Sequence, residues 1–289
     1  RDLRMSRGLG DVYKRQFLNF VVGGNNTFPA PQLFPMIEFT NSIRRLVSSL
    51  SETKTRRAEG LFKAEGTKCV GDTLPYFSLK MLLATDEWLA DNTPDVDSSL
   101  IVKVPNREME RISSLSCPPK VIAVYRIPED DYSPDMLAGN LTLALDSVQD
   151  PGNLGTIVRT ADWFGIRRIL CSRSTADIYS PKAVMSTMGA ISRVRLHYCD
   201  LAAELASVSG VPVYGAFMDG ENIYSAALPS QAVIVMGNEG QGISPAVAEA
   251  VTRRITIPSY PAGVATSESL NVAVATAVIV SRFRENLLK

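Results

Sequence analysis

The sequence predicts an α/β protein whose C-terminal half contains a mostly parallel sheet covered on both faces by helices. From residue 140 onward, short apolar runs alternate with segments of helical periodicity. The predicted strands lie near residues 141–145, 168–171, 194–198, 211–216, 232–236 and 254–257. Strands that alternate with helices are typical of parallel sheets, because each parallel connection must cross a face of the sheet.

Composition places the chain among globular proteins of one or two domains. It has 289 residues, of which 45% are hydrophobic and 21% are charged. The formal net charge is zero, so the overall charge does not favour nucleic acid. Any contact with nucleic acid would therefore need a local basic patch.

The cysteines and the histidine argue against a metal site. Cys69, Cys117, Cys171 and Cys199 are far apart and form no C-x-x-C pair, and His197 is the single histidine. Reduced thiols of this kind are typical of the cytoplasm. His197 itself lies in an alternating stretch and is predicted to be a strand residue.

Residues 1–35 do not fit the predicted fold. Residues 1–16 are basic and residues 17–22 form a short apolar run that contains Asn19. This run is shorter than the ~7–15 apolar residues of a signal peptide. We interpret the segment as translated upstream or adapter sequence, with Met36 as the natural start.

Residues 36–128 are predicted to form a first domain, and the acidic, proline-containing residues 129–139 a linker to the domain at 140–289. Helix-like and strand-like segments alternate in this first domain. The predicted strands are 61–64, 79–84, 100–104 and 121–125, and the predicted helices are 37–50, 68–74, 106–115 and one around Trp88. The basic cluster Lys54, Arg56 and Arg57 is either an RNA contact or the solvated end of a helix.

The C-terminal segment places polar groups beside an apolar helix. Residues 255–257 read as a strand that Pro258 ends, because proline has no N–H for the ladder. Residues 267–269 are suited to the first turn of a helix that is apolar from Leu270 onward. Asn271 lies in that apolar run, one helical turn after Ser267, and either ties down the preceding loop or belongs to a site.

A glycine-rich turn follows the predicted strand 232–236. Its sequence over residues 237–242 is G-N-E-G-Q-G. In α/β sheets, ligands bind where loops leave the carboxyl ends of strands. The spacing matches neither the dinucleotide motif G-x-G-x-x-G nor a phosphate-binding loop, so the turn alone is a weak signal.

A third segment joins the predicted strand 141–145 to a helix through the polar turn 149–153. The helix has apolar residues at helical spacing from Leu154 to Phe164. Arg159 lies in this helix, six residues after Asn153. Taken alone, Arg159 reads as a surface arginine.

Together the three segments resemble the motifs of the SpoU/TrmH branch of the SPOUT RNA methyltransferases. The motif D-P-x-N-x-G-x-x-x-R-T-A-x-x-F-G matches residues 150–165, and G-N-E-G-x-G matches residues 237–242. The third motif, I-P followed by S-L-N-V-x-V-A, is divided between residues 257–258 and 269–275. The resemblance covers roughly half the chain, and three concordant motifs are far more specific than one.

This resemblance implies a fold and a cofactor. The fold would be a SPOUT-type parallel sheet with a deep trefoil knot, preceded by a small ribosomal-protein-like α/β substrate-binding domain that the F-x-x-E-G of residues 62–66 also resembles. The cofactor would be S-adenosylmethionine, bound without metal mainly by the main chain of Gly237, Ile257 and Leu270. The partners would be RNA and a second copy of the chain in a homodimer.

The resemblance also implies a reaction, methyl transfer to a ribose 2′-hydroxyl of rRNA or tRNA. Arg159 is the catalytic candidate; because arginine stays protonated, we expect it to hold phosphate and stabilise negative charge rather than act as a base. Asn153, Glu239 and Asn271 would orient Arg159 and the ribose. The loop before Leu270 is longer than the family's short form, so either Ser267 or Ser269 occupies the serine position.

Two alternative functions belong to other classes. The same fold could serve a catalytically inactive RNA-binding or ribosome-assembly protein, although all the motif residues are present. A dehydrogenase would need G-x-G-x-x-G after a strand, which the sequence lacks. Neither the RNA nor the methylated nucleotide follows from the sequence.

Overall fold

The computed structural model describes residues 37–261, 263–265 and 267–288. The interpretation of residues 1–35 as a foreign leader lies outside these residues. Two sheets organise the described chain, one before residue 127 and one after residue 140.

The first sheet has four strands in the order β1-β4-β2-β3. Strand β4 is antiparallel to both β1 and β2, whereas β2 and β3 are parallel. The strands are β1 Leu61–Glu65, β2 Leu79–Ala84, β3 Ile101–Lys103 and β4 Val121–Arg126. The helices of this part are α1 Asn41–Ser49, α2 Thr53–Glu59, α3 Thr67–Thr73, α4 Asp86–Asp91 and α5 Asn106–Ile112.

The second sheet has six strands in the order β10-β8-β9-β5-β6-β7, and all its neighbouring strands are parallel. The strands are β5 Leu141–Leu145, β6 Arg168–Ser172, β7 Arg195–Cys199, β8 Val213–Asn222, β9 Ala232–Met236 and β10 Arg253–Thr256. The helices are α6 Pro151–Trp163, α7 Pro181–Thr187, α8 Leu201–Ser207, α9 Pro245–Ala248 and α10 Val272–Leu288. This architecture confirms the predicted α/β class and parallel sheet.

Strand β8 is longer than predicted because it pairs with β10 in two sections. Residues Arg253 and Arg254 lie opposite Tyr214 and Gly215, and the register then shifts so that Ile255 lies opposite Glu221. Residues 216–220 of β8 therefore lie between two sections whose partners, Arg254 and Ile255, are adjacent on β10. An alternating apolar pattern cannot reveal such an insertion.

The prediction for the start of the last helix was wrong. Helix α10 begins at Val272, and Asn271 precedes it as an exposed capping residue rather than a buried amide. Its Oδ1 accepts hydrogen bonds from the backbone N–H groups of Ala273 (2.9 Å) and Val274 (3.3 Å). An asparagine that satisfies the first helical N–H groups favours a helix start at that point. Ser267 therefore does not share a helical face with Asn271.

Helix α10 is also less buried than its composition suggested. Its inner face packs in the core, where Thr276, Ile279, Val280 and Phe283 are buried. Val274, however, is 52% exposed. The outer face of the helix therefore carries an apolar side chain at its start.

The two sheets share one continuous hydrophobic core. The rings of Phe62 on β1 and Tyr179, just before α7, lie 4.8 Å apart.

An ion pair also links the two parts of the chain. Arg56, only 1% exposed, pairs with Asp177, with a guanidinium nitrogen 2.6 Å from Oδ2. Both interpretations of the basic cluster, an RNA contact or a solvated helix end, are therefore wrong for Arg56, because the partly buried Asp177 carboxylate and nearby oxygens accept hydrogen bonds from its guanidinium.

The predicted linker is held against the edge of the second sheet. Asp130 Oδ2 lies 2.5 Å from Nδ1 of His197 on β7, and the Tyr132 ring stacks on the imidazole at 4.1 Å. The location of His197 in a strand is confirmed. These contacts fix the connection between the two sheets.

All four cysteines have free thiols. Burial raises the pKa of the Cys69 and Cys199 thiols to about 11, which leaves them protonated and unreactive near neutral pH. Within the described part of the chain, no helix is both long and apolar enough to span a bilayer.

Candidate active site

The structure brings together three of the predicted site residues from three separate motifs. Asn153, in the first turn of α6, donates from Nδ2 to Oε1 of Glu239 at 2.8 Å. Its Oδ1 accepts from Nδ2 of Asn271 at 3.0 Å. These partners are 86 and 118 residues away in sequence. The arrangement forms at the carboxyl edge of the parallel sheet, where ligands of α/β proteins bind.

The start of α6 is held by Asp150. The carboxylate Oδ1 of Asp150 accepts from the backbone N–H of Asn153 at 2.8 Å and caps the helix. Its Oδ2 lies 2.6 Å from Nζ of Lys182 on α7. The hydrogen bond from Lys182 and that from the Asn153 N–H hold the pKa of Asp150 below its usual value. The carboxylate therefore remains charged at neutral pH, and Asn153 stays in a fixed position.

The glycine-rich turn is a closed structure rather than a flexible loop. Asn238 and Gly242 exchange two backbone hydrogen bonds of 2.9 Å, and Asn238 Oδ1 accepts from the N–H of Gly240 at 2.9 Å. A Cβ atom on Gly237 would lie 2.3 Å from the backbone carbon of Gly242. Glycine is therefore required at residue 237, and the turn presents Glu239 to Asn153.

A second set of bonds ties this turn to the end of β5. The nearly buried carboxylate of Asp146 accepts from the N–H of Ser244 at 2.7 Å. Asn238 Nδ2 donates to the carbonyl of Ser147 at 2.8 Å. Neither Asp146 nor Asn238 was predicted as a positioning residue. The available signal was that each is a polar residue placed at or near the end of a buried strand.

Arg159 does not join the Asn153 network. It lies about 9 Å further along the axis of α6, since each helical residue rises about 1.5 Å. Its side chain is exposed and has no hydrogen-bond or ion-pair partner among the described residues. The opposite face of α6 is buried by Leu154, Ile157 and Val158. The packing of the helix therefore does not account for this arginine.

Two of the three residues proposed for the cofactor are neighbours in sequence of residues in this network, and the third follows strand β10. Gly237 precedes Glu239 by two residues, and the half-exposed Leu270 directly precedes Asn271. Ile257 is partly buried just after β10. The nearby loop exposes further apolar side chains, since Tyr260 is 91% and Val264 is 54% exposed.

This set of residues fits S-adenosylmethionine. The adenine ring needs apolar surface on its faces and main-chain polar groups at its edge, which small and apolar residues on loops can supply. Tyr260 and Val264 are exposed side chains of this kind. Ser267 and Ser269 both lie in the exposed loop before α10, so either can supply the motif serine.

Sequence comparison identifies two family matches. The SpoU rRNA Methylase family matches residues 140–281, and the MRM3-like substrate binding domain matches residues 41–123. The chain is 30% identical over 241 residues to the 23S rRNA (guanosine(2553)-2'-O)-methyltransferase RlmP of Bacillus subtilis. That match covers 81% of this chain and 93% of the relative.

Solved structures agree over most of the chain. A proposed RNA methyltransferase of the TrmH family from Porphyromonas gingivalis is 41% identical, with a TM-score of 0.77 over 86% of this chain and 99% of that one. The AdoMet-bound rRNA methyltransferase from Sinorhizobium meliloti is 29% identical, with a TM-score of 0.75 over 88% of this chain and 99% of that one.

Proposed function

Because the chain belongs to the SpoU rRNA methylase family, we propose that it transfers a methyl group from S-adenosylmethionine to a ribose 2′-hydroxyl of RNA. Ribosomal RNA is favoured over transfer RNA, since the relative from Bacillus subtilis is named for 23S rRNA and the structure from Sinorhizobium meliloti for rRNA. The observation that supports this function most strongly is the Asn153–Glu239–Asn271 network, together with an exposed Arg159 on the same helix α6 that has no partner among the described residues.

We propose that the main chain of Gly237, Ile257 and Leu270 binds the cofactor. When bound, S-adenosylmethionine supplies an electrophilic methyl group on a sulfonium. The chain has to hold the ribose 2′-oxygen in line with that methyl group, because alignment contributes much of the acceleration of a two-substrate reaction. We propose that Asn153, Glu239 and Asn271, with Ser267 or Ser269, perform this orientation.

Arg159 would act on the charge that develops at the 2′-oxygen. A ribose hydroxyl is a weak nucleophile until its proton leaves or its oxyanion is stabilised. A planar guanidinium can hold a neighbouring phosphate with two parallel hydrogen bonds. Its positive charge would also stabilise the negative charge that develops at the 2′-oxygen. The exposure of Arg159 leaves its donors available for this contact.

We further propose a homodimer in which Arg159 serves the active site of the partner subunit. The separation of Arg159 from the Asn153 network and the exposed Val274 and Trp163 near the two ends of the α6–α10 pair support this proposal. Mixing inactive Arg159→Ala and Asn271→Ala subunits tests it. Recovered activity is expected if the site is shared, whereas a mixture as inactive as its components would place Arg159 in its own subunit's site.

The trefoil knot is also a proposal. Strand β10 lies at the edge of its sheet, whereas the following helix α10 contacts α6, which comes after the central strand β5. A trefoil knot requires the chain to pass through a loop, and this return from the edge to the centre of the sheet is compatible with such a path. The knot would be refuted by an experimental crystal structure in which the C-terminal part of the chain passes through no loop formed by earlier residues.

We keep the two-part organisation as a proposal, with residues 36–128 binding RNA and residues 140–289 performing the chemistry. The match of residues 41–123 to a substrate binding domain supports it. The four free thiols suit a reducing compartment, and we propose a cytoplasmic location.

Calorimetry with S-adenosylhomocysteine tests the cofactor assignment. We expect binding without added metal and no binding of NAD. Binding of NAD but not S-adenosylhomocysteine would refute the assignment. The inactive RNA-binding protein predicted as the alternative would bind RNA and transfer no methyl group, and no observation favours it.

A further inference from the structure

A basic concavity lies at α1 and the end of α5, and none of its lining residues belongs to the candidate active site. Its volume is about 640 Å³. The lining includes three arginines, two serines and one glutamate that matter here. They are Arg44, Arg45, Arg111, Ser48, Ser51 and Glu52.

The three arginines carry more N–H donors than the contacts with Glu108 use. Glu108 Oε1 accepts from Arg111 at 2.8 Å, and Glu108 Oε2 lies 3.6 Å from Arg44. One carboxylate therefore holds two guanidinium groups near each other. Arg45 is exposed and has no ion-pair or hydrogen-bond partner among the described residues. Each guanidinium carries five N–H donors, so most of these donors remain available to a ligand.

A buried ion pair fixes one side of the concavity. Lys63 and Glu65 are each about 1% exposed on β1, with Nζ 3.2 Å from Oε1. Glu65 accepts from the N–H of Ser114 at 3.0 Å, and the Ser114 hydroxyl is 2.9 Å from that of Ser51. Lys63 also donates to the carbonyl of Ile112 at 2.7 Å. The end of α5 is thus attached to the sheet and to the lining.

Arg56 attaches the other side to the catalytic part of the chain. Its guanidinium donates to the carbonyls of Leu50 and Ser51 at 2.8 and 2.9 Å. The same group forms the ion pair with Asp177. A ligand in the concavity would therefore lie at a constant distance from the second sheet.

We propose that this concavity, termed the α1–α5 groove, binds the sugar–phosphate backbone of the RNA substrate; this inference rests on the proposed function. Guanidinium and hydroxyl donors match the oxygen acceptors of phosphate. The volume is much larger than one phosphate group, which suits a stretch of backbone. Because the chain has no net charge, a local cluster of this kind has to supply its affinity for RNA. Lys54 and Arg57, predicted as RNA contacts, do not line the groove.

The salt dependence of RNA binding by the full chain tests this groove. The probe is a short fluorescent RNA hairpin, and its Kd is measured by anisotropy over a range of potassium chloride concentrations. Arg45→Gln should weaken binding and lower the slope of log Kd against log salt by about 0.7–0.9, the value for one lost phosphate contact. Arg111→Gln should do the same. Glu52→Gln, which removes from the lining a carboxylate without an ion-pair partner among the described residues, should tighten binding.

Arg107→Gln is the matched control, since Arg107 is exposed on the same helix α5 and lies outside the lining. It should leave the slope unchanged. If Arg45→Gln and Arg111→Gln behave like Arg107→Gln while all variants keep the wild-type melting temperature, the groove does not bind RNA.

Methyl transfer by the wild-type chain at saturating RNA separates this proposal from the proposed function. If the wild-type chain transfers methyl groups but the arginine variants keep the wild-type salt slope, only the groove is refuted. Lowered slopes without any methyl transfer refute the proposed function alone.

Discussion

At the scale of single residues, Arg159 is the side chain that separates an enzyme from a binding protein. It is exposed and unpaired among the described residues, so removing it breaks no contact that holds the fold. Arg159→Ala should lower the methylation rate by about 10²–10³-fold, the usual effect of losing one donor that stabilises transition-state charge. Its free energy of unfolding should change by less than ~0.5 kcal/mol. Single-turnover transfer of labelled methyl groups and urea unfolding measure the two effects.

Arg159→Lys should also be nearly inactive, because a point charge does not reproduce the planar guanidinium. Arg173→Ala, at another exposed arginine of the catalytic half, is the control and should keep wild-type activity. Wild-type rates for Arg159→Ala would show that this side chain has no role in the reaction.

The closed turn at residues 237–242 requires glycine at residue 237. Because a Cβ atom there would lie 2.3 Å from the Gly242 backbone, Gly237→Ala should open the turn that presents Glu239. We expect S-adenosylhomocysteine affinity to fall at least tenfold in calorimetry. Gly240→Ala is the control, since its nearest neighbour would be a side-chain oxygen at 3.7 Å. Equal affinities for the two variants would contradict the role assigned to the closed turn.

The sequence was informative about which site residues matter and less so about how they are held. Asn153, Glu239 and Asn271 were predicted from motifs, and Asn153 forms hydrogen bonds with both of the others. The capping role of Asn271 was not predicted, because an apolar run gives no sign of where its first helical N–H group lies. Lys182 was missed since its partner Asp150 is 32 residues away.

At the scale of elements, the packing of α6 on α7 positions the first motif. Gly155 lies in the contact, where a Cβ atom would come within 2.4 Å of Ser186 Cβ and 2.9 Å of the Ala183 carbonyl oxygen. Gly155→Ala should destabilise the protein by about 1–3 kcal/mol through overpacking. Urea unfolding measures the change.

Gly71→Ala on α3 is the matched control, because nothing lies within 4 Å of its Cβ position. Alanine should stabilise that helix by up to ~1 kcal/mol relative to glycine. If both substitutions stabilise the protein, the two helices do not pack as closely as described.

The strands were predicted more accurately than the helix ends. Strands β5 and β9 match the predicted residues 141–145 and 232–236, because both are continuous apolar runs between turns. Helix α5 ends at Ile112, before the predicted residue 115, since the following Ser113 and Ser114 bond to Glu65. That competing contact is tertiary and leaves no local pattern.

At the scale of the whole molecule, the Arg56–Asp177 ion pair joins the two sheets. Arg56 is 1% exposed and bonds to Asp177 and to two carbonyls of the preceding turn. Arg56→Met would leave these acceptors without their donor, and we expect a loss of about 3 kcal/mol in the free energy of unfolding. Guanidinium unfolding measures it.

Lys120→Met is the control, because the Lys120–Glu87 pair has the same chemistry with both side chains more than half exposed. Exposed pairs contribute less than ~1 kcal/mol. If Arg56→Met is no more destabilising than Lys120→Met, the Arg56–Asp177 pair does not join the sheets. Sequence reasoning could not find this pair, since its partners are 121 residues apart.

The central claim is that the site around Asn153, Glu239 and Asn271 methylates ribose in RNA. The most direct measurement is to incubate the full chain with tritiated S-adenosylmethionine and bacterial 23S rRNA, and to map the label. We predict label at a discrete nucleotide, with the adjacent phosphodiester resistant to alkali because its 2′-oxygen is blocked. Label on a base, or RNA binding with no transferred label, would contradict the claim.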